Sequence, residues 1–246
     1  MMDILFARTF FIVAGMLLIT AVAARFNKAF ETAAEAWISI AATFALLFAV
    51  MFFADSFPIN LILVGIFSAL VGWQIGPTIQ YYGEASQRNK LLKSQGINLK
   101  KGETLDLEQE QRLAEELAKN PTNDQWNNVV FQAMFATALA VFATAGIVFL
   151  TSYNFSFLGG FLFIALIILI IMGILNALFF RSRIFTLIKA YFGVIIFTLY
   201  LLFDFNRLEQ MAGDDSWGTA IDIAVNIYLD IINLFLYILE ILGDSN

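Results

Sequence analysis

The sequence predicts an all-α membrane protein, seven transmembrane helices with the last helix central in the bundle, and three observations predict it. Hydrophobic residues make up 60% of the 246 and charged residues only 14%, against about 45–50% and about 25% in a soluble globular domain. The apolar residues fall in seven runs of about 20, the length that crosses roughly 30 Å of hydrocarbon at about 1.5 Å per residue. The last run carries a polar stripe whose amides and carboxylates would lack partners in lipid, so it belongs inside the bundle. The runs are continuous and do not alternate with period two, which argues against a membrane β-barrel.

The runs cover approximately 4–24, 36–54, 58–79, 129–150, 155–180, 184–205 and 219–242. The first ends in Ala21-Val22-Ala23, a sequence like a signal-peptide cleavage site. It lacks a basic leader, because Asp3 precedes it and Arg8 lies inside the apolar stretch, so a retained helix is expected. Short links, Asp55-Ser56-Phe57 and Thr151-Ser152-Tyr153-Asn154, join the second to the third run and the fourth to the fifth as helical hairpins. The sixth and seventh flank a polar link around 210–216. The chain thus reads as one transmembrane domain, 1–246, interrupted by a polar block at about 83–128.

That block holds seven of the fourteen basic residues. Within it a short soluble helix is expected over 105–119, with Asp106 and Gln109 as a cap pair and Pro121 beyond its end. Two readings stand side by side: a solvated connector of mixed charge, or a docking site for a soluble partner. Arg25, Lys28, the block, Arg181, Arg183 and Lys189 all fall on one side of the seven spans, with Arg207 nearly alone on the other. Basic residues stay inside, so the N-terminus is expected outside and the C-terminus inside.

The chain has no cysteine and no histidine. This excludes disulfides, thiolate and imidazole metal sites, and nucleophilic triads built on histidine. A net charge of −6 argues against a nucleic-acid partner. The remaining chemistry is carboxylate, hydroxyl, amide and guanidinium.

Two carboxylates stand out: Asp204 in Leu202-Phe203-Asp204-Phe205 and Asp230 in Tyr228-Leu229-Asp230-Ile231. Each costs about 2.5–3.5 kcal/mol on membrane-insertion scales, so such residues are kept where they are paired or used. With Asp230 as origin, Asp222, Asn226, Asn233 and Tyr237 share its helical face. The turn between the two helices leaves Asp204 and Asp230 offset by roughly 8 Å along the axis, a gap that tilt and side-chain reach could close. The alternative is structural: Asp204 paired with Arg207 at i+3, and Asp230 capped by Asn226 or a hydroxyl. Arg8, Glu31, Glu35 and Asp55 lie near helix ends and read as structural charges.

The runs from Phe197 to Asn206 and from Ala224 to Phe235, with Tyr228-Leu229-Asp230-Ile231-Ile232-Asn233-Leu234-Phe235 at their heart, resemble the signature of the Bax inhibitor family, also called the transmembrane Bax inhibitor motif family. Ser156-Phe157-Leu158-Gly159-Gly160-Phe161 and a Gly76-Pro77 pair ending the third helix are similar to the same pattern. The resemblance implies a last helix surrounded by the other six, and a pH-sensitive calcium leak, not an enzyme, with no cofactor. Asp204 and Asp230 would be proton sensor, gate and cation ligands. Some relatives carry a basic residue before the third helix that pairs with the sixth-helix aspartate. Phe53-Ala54-Asp55-Ser56-Phe57 holds no cation here, which leaves Arg207 or Arg8 as charge partners.

The expected mechanism is coupled titration: two close carboxylates share a proton, and once ionised they attract a hard cation, with oxygens from Asn226, Asn233 or backbone carbonyls. The resemblance also implies a bacterial inner membrane and a membrane protease or other membrane protein as partner. Two rivals stay open. An intramembrane aspartyl protease also uses two membrane aspartates, but its Gly-x-Gly-Asp motif has no counterpart at Asp230, and Gly213-Asp214 lies in the polar link. The other is a non-conducting regulator acting through protein partners.

Overall fold

The computed structural model describes residues 3–97, 105–119, 124–151, 153–180 and 182–245. Arg181 and Pro121, used above for orientation and for a helix stop, lie outside the described residues. The described chain forms α1 (Ile4–Ala23), α2 (Ala33–Phe52), α3 (Ile59–Ser94), α4 (Leu107–Lys119), α5 (Asp124–Thr151), α6 (Leu158–Leu175), α7 (Arg183–Gln210) and α8 (Trp217–Ser245). A π-helical turn, Asn176–Phe180, extends α6. Among the described residues, seven helices are long and apolar enough to cross a membrane, all but α4.

Several helices start at side chains that accept from their first-turn N–H groups. Asp3 caps α1 by accepting from the Leu5 N–H, Thr32 caps α2 by accepting from Glu35, and Ser182 caps α7 by accepting from Phe185. In the polar block, the Asp106 and Gln109 pair is realised: Asp106 Oδ1 accepts from the Gln109 N–H at 3.4 Å and Gln109 Oε1 from the Asp106 N–H at 3.3 Å. Leu105 and Leu113 of this segment pack on Leu92 of α3, so α4 is anchored to the bundle by a small apolar cluster.

The central helix is α8, which packs directly on α1, α3, α5 and α7. The other two spans form an outer layer, α2 on α3 and α6 on α7, so among the described residues α8 has four close neighbours and not six. Outer-layer side chains such as Trp37, Phe48, Phe163 and Ile164 are exposed, as a lipid-facing surface requires. The core runs along α8, where Ala220, Ile223, Ala224, Tyr228 and Leu234 are fully buried.

The third helix departs from expectation. Gly76-Pro77 does not end it; α3 continues through Pro77 to Ser94, so the first part of the expected polar loop is helical. Proline has no N–H to give to the carbonyl four residues back. That carbonyl, on Trp73, instead accepts from Asn27 Nδ2 at 3.1 Å. Gly76 and Gly72 serve a different purpose, since a Cβ at Gly76 would sit 2.1 Å from the Asn27 carbonyl oxygen and one at Gly72 would sit 2.5 Å from that of Thr20. Two glycines four apart let α3 lie against the backbone at the end of α1.

Candidate functional site: a carboxyl pair between the last two helices

Helices α7 and α8 run antiparallel, and three charged contacts tie them. At the end near the connecting turn, Arg207 of α7 meets Asp222 of α8 at 2.5 Å, both about two-fifths exposed. At the far end Lys189 of α7 faces Glu240 of α8 at 3.5 Å, with Glu240 buried. Between them, the carboxyl groups of Asp204 and Asp230 meet within hydrogen-bonding reach. Both are buried, at 4% and 5% exposure.

The offset between the two aspartates closes for a reason built into helix geometry. Each Cα–Cβ bond tilts toward its own helix N-terminus. In antiparallel neighbours those tilts are opposed, so Asp204 leans toward the middle of the bundle while Asp230 leans toward the turn, and the two carboxyls converge. The Oδ2 atom of Asp230 is buried with no hydrogen-bond partner. Such an atom is costly to keep.

The expected supporting residues divide. Asn226 donates to the Asp222 carbonyl at 2.9 Å and Asn233 to the Leu229 carbonyl at 2.8 Å, so both amides are tied to their own helix and neither caps Asp230. Asp222 holds Arg207, and Tyr237 stacks on Phe197 at a centroid distance of 5.8 Å. Arg207 is therefore not the ion-pair partner of Asp204, although its charge is felt there, as is that of Asp222. Arg8 is engaged elsewhere: its guanidinium lies 4.4 Å from the Trp217 ring centroid and donates to the Asp215 carbonyl. Asp55 reads as structural and is so, accepting from the Gly218 N–H at the start of α8 at 2.9 Å.

Three features were not singled out by sequence reasoning. Tyr200, one turn before Asp204, sits within electrostatic range of both aspartates. Tyr228 and Thr20 share a buried hydrogen bond of 2.6 Å, and Thr20 Oγ1 reaches the Ser68 carbonyl at 3.0 Å, joining α8, α1 and α3. Lys189 and Glu240 were readable in part: one further i+3 step along the stripe from Tyr237 reaches Glu240. Among the described residues, no three of His, Cys, Asp and Glu converge, so the pair offers two carboxylates where a dedicated calcium site uses six to eight oxygens.

A profile of the family described as Inhibitor of apoptosis-promoting Bax1 matches residues 3–94 and 122–246, which takes in every helix of this site. The chain belongs to the Bax inhibitor family. Among its relatives, the Golgi anti-apoptotic protein of Vaccinia virus (strain Lister) is 35% identical over 119 residues, 48% of each chain. Protein LIFEGUARD 1 of Arabidopsis thaliana is 34% identical over 119 residues, 47% of this chain and 49% of the plant protein. An uncharacterized Campylobacter jejuni protein is 33% identical over 118 residues, 48% of this chain and 49% of its own. The matches span about half the length of these relatives. With seven spans and this membership, the chain is an integral membrane protein of the Bax inhibitor family.

Proposed function

We propose that this Bax inhibitor family member is a pH-sensitive calcium leak, with Asp204 and Asp230 as proton sensor, gate and transient cation ligands. The observation that supports it most is the meeting of two buried carboxyls from adjacent helices, one of whose oxygens has no other partner. Two such groups share one proton between them, because a second buried charge a few ångströms from the first is too costly. Loss of that proton sets two like charges against each other, favours separation of α7 from α8, and offers oxygens to a hard cation. With two carboxylates and, among the described residues, no third His, Cys, Asp or Glu converging on them, the site suits a passing ion better than a resident one.

Calcium influx into liposomes carrying the purified protein tests this from about pH 6 to 8, the range in which a buried carboxyl pair can titrate. Flux that rises with pH, with the response flattened in Asp204→Asn and in Asp230→Asn, supports the leak. Flux equal to that of empty liposomes at every pH overturns it. The second reading, a non-conducting regulator acting on a membrane protease or another membrane protein, draws support from the anti-apoptotic designation of the viral relative. A bacterial inner membrane fits the bacterial relatives.

A further inference from the structure

Away from the last two helices, a cleft of about 480 Å³ opens between α2 and α3. One wall is a single helical face at the start of α2, where Thr32, Glu35, Ser39 and Ala42 follow one another at steps of three or four residues. That face grades from polar to apolar over about 15 Å along the helix. Leu70 and Trp73 of α3 form the other wall. The two walls are tied together, because Gln74 Nε2 donates to Thr43 Oγ1 at 2.8 Å.

The polar end of the cleft carries charge of both signs. Glu35 Oε2 accepts from the Glu31 N–H at 2.8 Å, and among the described residues Glu35 Oε1 takes no hydrogen bond. Asn27, in the link before α2, donates to the Trp73 carbonyl at 3.1 Å, which fixes that link against the turn of α3 that lines the cleft. Arg25 and Lys28 stand on either side of Asn27, both exposed, and among the described residues neither makes an ion pair. An apolar slot that deepens into the membrane, with a carboxylate and two cations at its mouth, matches an amphiphile whose head bears one negative and one positive group.

We propose that the cleft between α2 and α3 is a binding site for a phosphatidylethanolamine of the bilayer. The phosphate sits with Arg25 and Lys28, the ammonium donates to Glu35, and an acyl chain lies along Ala42 and Leu70 beside the Trp73 ring. A primary ammonium brings three N–H donors to a carboxylate. The methylated ammonium of a choline head brings none, and a head with negative charge alone is repelled by Glu35. The site shares no residue with the aspartate pair and stands whether or not the protein conducts calcium.

Native mass spectrometry of the purified protein, titrated with phosphatidylethanolamine, phosphatidylcholine and phosphatidylglycerol of the same acyl chains, tests this. The native protein is expected to hold the ethanolamine lipid several-fold more tightly than the other two. Glu35→Gln keeps an oxygen for the Glu31 N–H and is expected to abolish the preference for ethanolamine over choline without weakening the choline lipid. Arg25→Gln with Lys28→Gln is expected to weaken both of these lipids several-fold. Ala42→Phe, which fills the apolar end, is expected to weaken all three.

Equal binding of the ethanolamine and choline lipids by the native protein overturns the site. Tightest binding of phosphatidylglycerol also overturns it, because the link cations would then be attracting any anionic lipid. So does an ethanolamine preference that survives Glu35→Gln. Should Ala42→Phe lose its monodisperse fold, the headgroup variants, which change only exposed or half-buried side chains, decide alone.

Discussion

The bundle has two helix contacts of opposite character. Helix α3 meets α1 through neutral groups: Gly72 and Gly76 against backbone carbonyls, Asn27 on the Trp73 carbonyl, and Thr20 between Ser68 and Tyr228. Helix α7 meets α8 through charge: Arg207 on Asp222, Asp204 on Asp230, and Lys189 on Glu240. The first contact has backbone close against backbone and hydrogen bonds between neutral groups. The second sets ionisable side chains of the two helices against each other, several of them buried. Both kinds of contact adjoin the same central helix, α8.

The difference can be broken at its rigid side. Gly76→Leu drives a Cβ to within 2.1 Å of a backbone carbonyl that cannot move aside; overpacking costs about 1–3 kcal/mol or more. The expected result is loss of the monodisperse peak in detergent, or a melting temperature lowered at every pH alike. A native-like melt would show that the α1–α3 contact is not rigid.

At the charged side, Asp204→Asn with Asp230→Asn removes the titrating pair. The native protein's melting temperature is expected to change between about pH 6 and 8, and the double variant's to stay flat. Thermal unfolding followed at both pH values reads this, and a pH response equal to the native one would take the sensor role away from the pair.

Two neutral bonds sharpen the contrast. Asn27→Ala leaves the Trp73 carbonyl without its donor, at a cost of about 1–3 kcal/mol, seen as a lower denaturation midpoint that does not vary with pH. Tyr228→Phe removes one hydroxyl while Thr20 keeps the Ser68 carbonyl, so about 1 kcal/mol is expected by the same measurement.

The smallest effect belongs to the turn before α8. Asp214 accepts from the Ser216 N–H and the Thr219 hydroxyl, and these bonds hold its pKa below 3.8. A carboxylate with a depressed folded pKa stabilises above its unfolded value and loses that contribution as pH falls through the folded one. Asp214→Ala should therefore lower the melting temperature slightly at neutral pH, with the difference vanishing well below pH 3.8. A difference that persists in acid would point to packing.

Much of this was written in the chain. Runs of about 20 apolar residues determine spans, because a helix is the way for a segment to satisfy its own backbone in hydrocarbon. The cap pair at Asp106 and Gln109 is equally local, since both partners lie within one turn. The polar stripe placed α8 inside, and two aspartates in adjacent apolar runs suggested one site.

Tertiary structure decided the partners. Nothing local says that Arg207 takes Asp222 and leaves Asp204 to Asp230, because the choice depends on how two antiparallel helices are offset and on the opposed lean of their side chains. Pro77 signals a stop by its missing N–H. It became an interior residue because Asn27, fifty residues earlier in the chain, supplies the lost donor. From the sequence Lys189 is one more basic residue in the orientation count, and the folded bundle sets Glu240 beside it. Spans follow from the solvent each segment needs, whereas pairings follow from the neighbours that packing brings, and only the folded bundle names those neighbours.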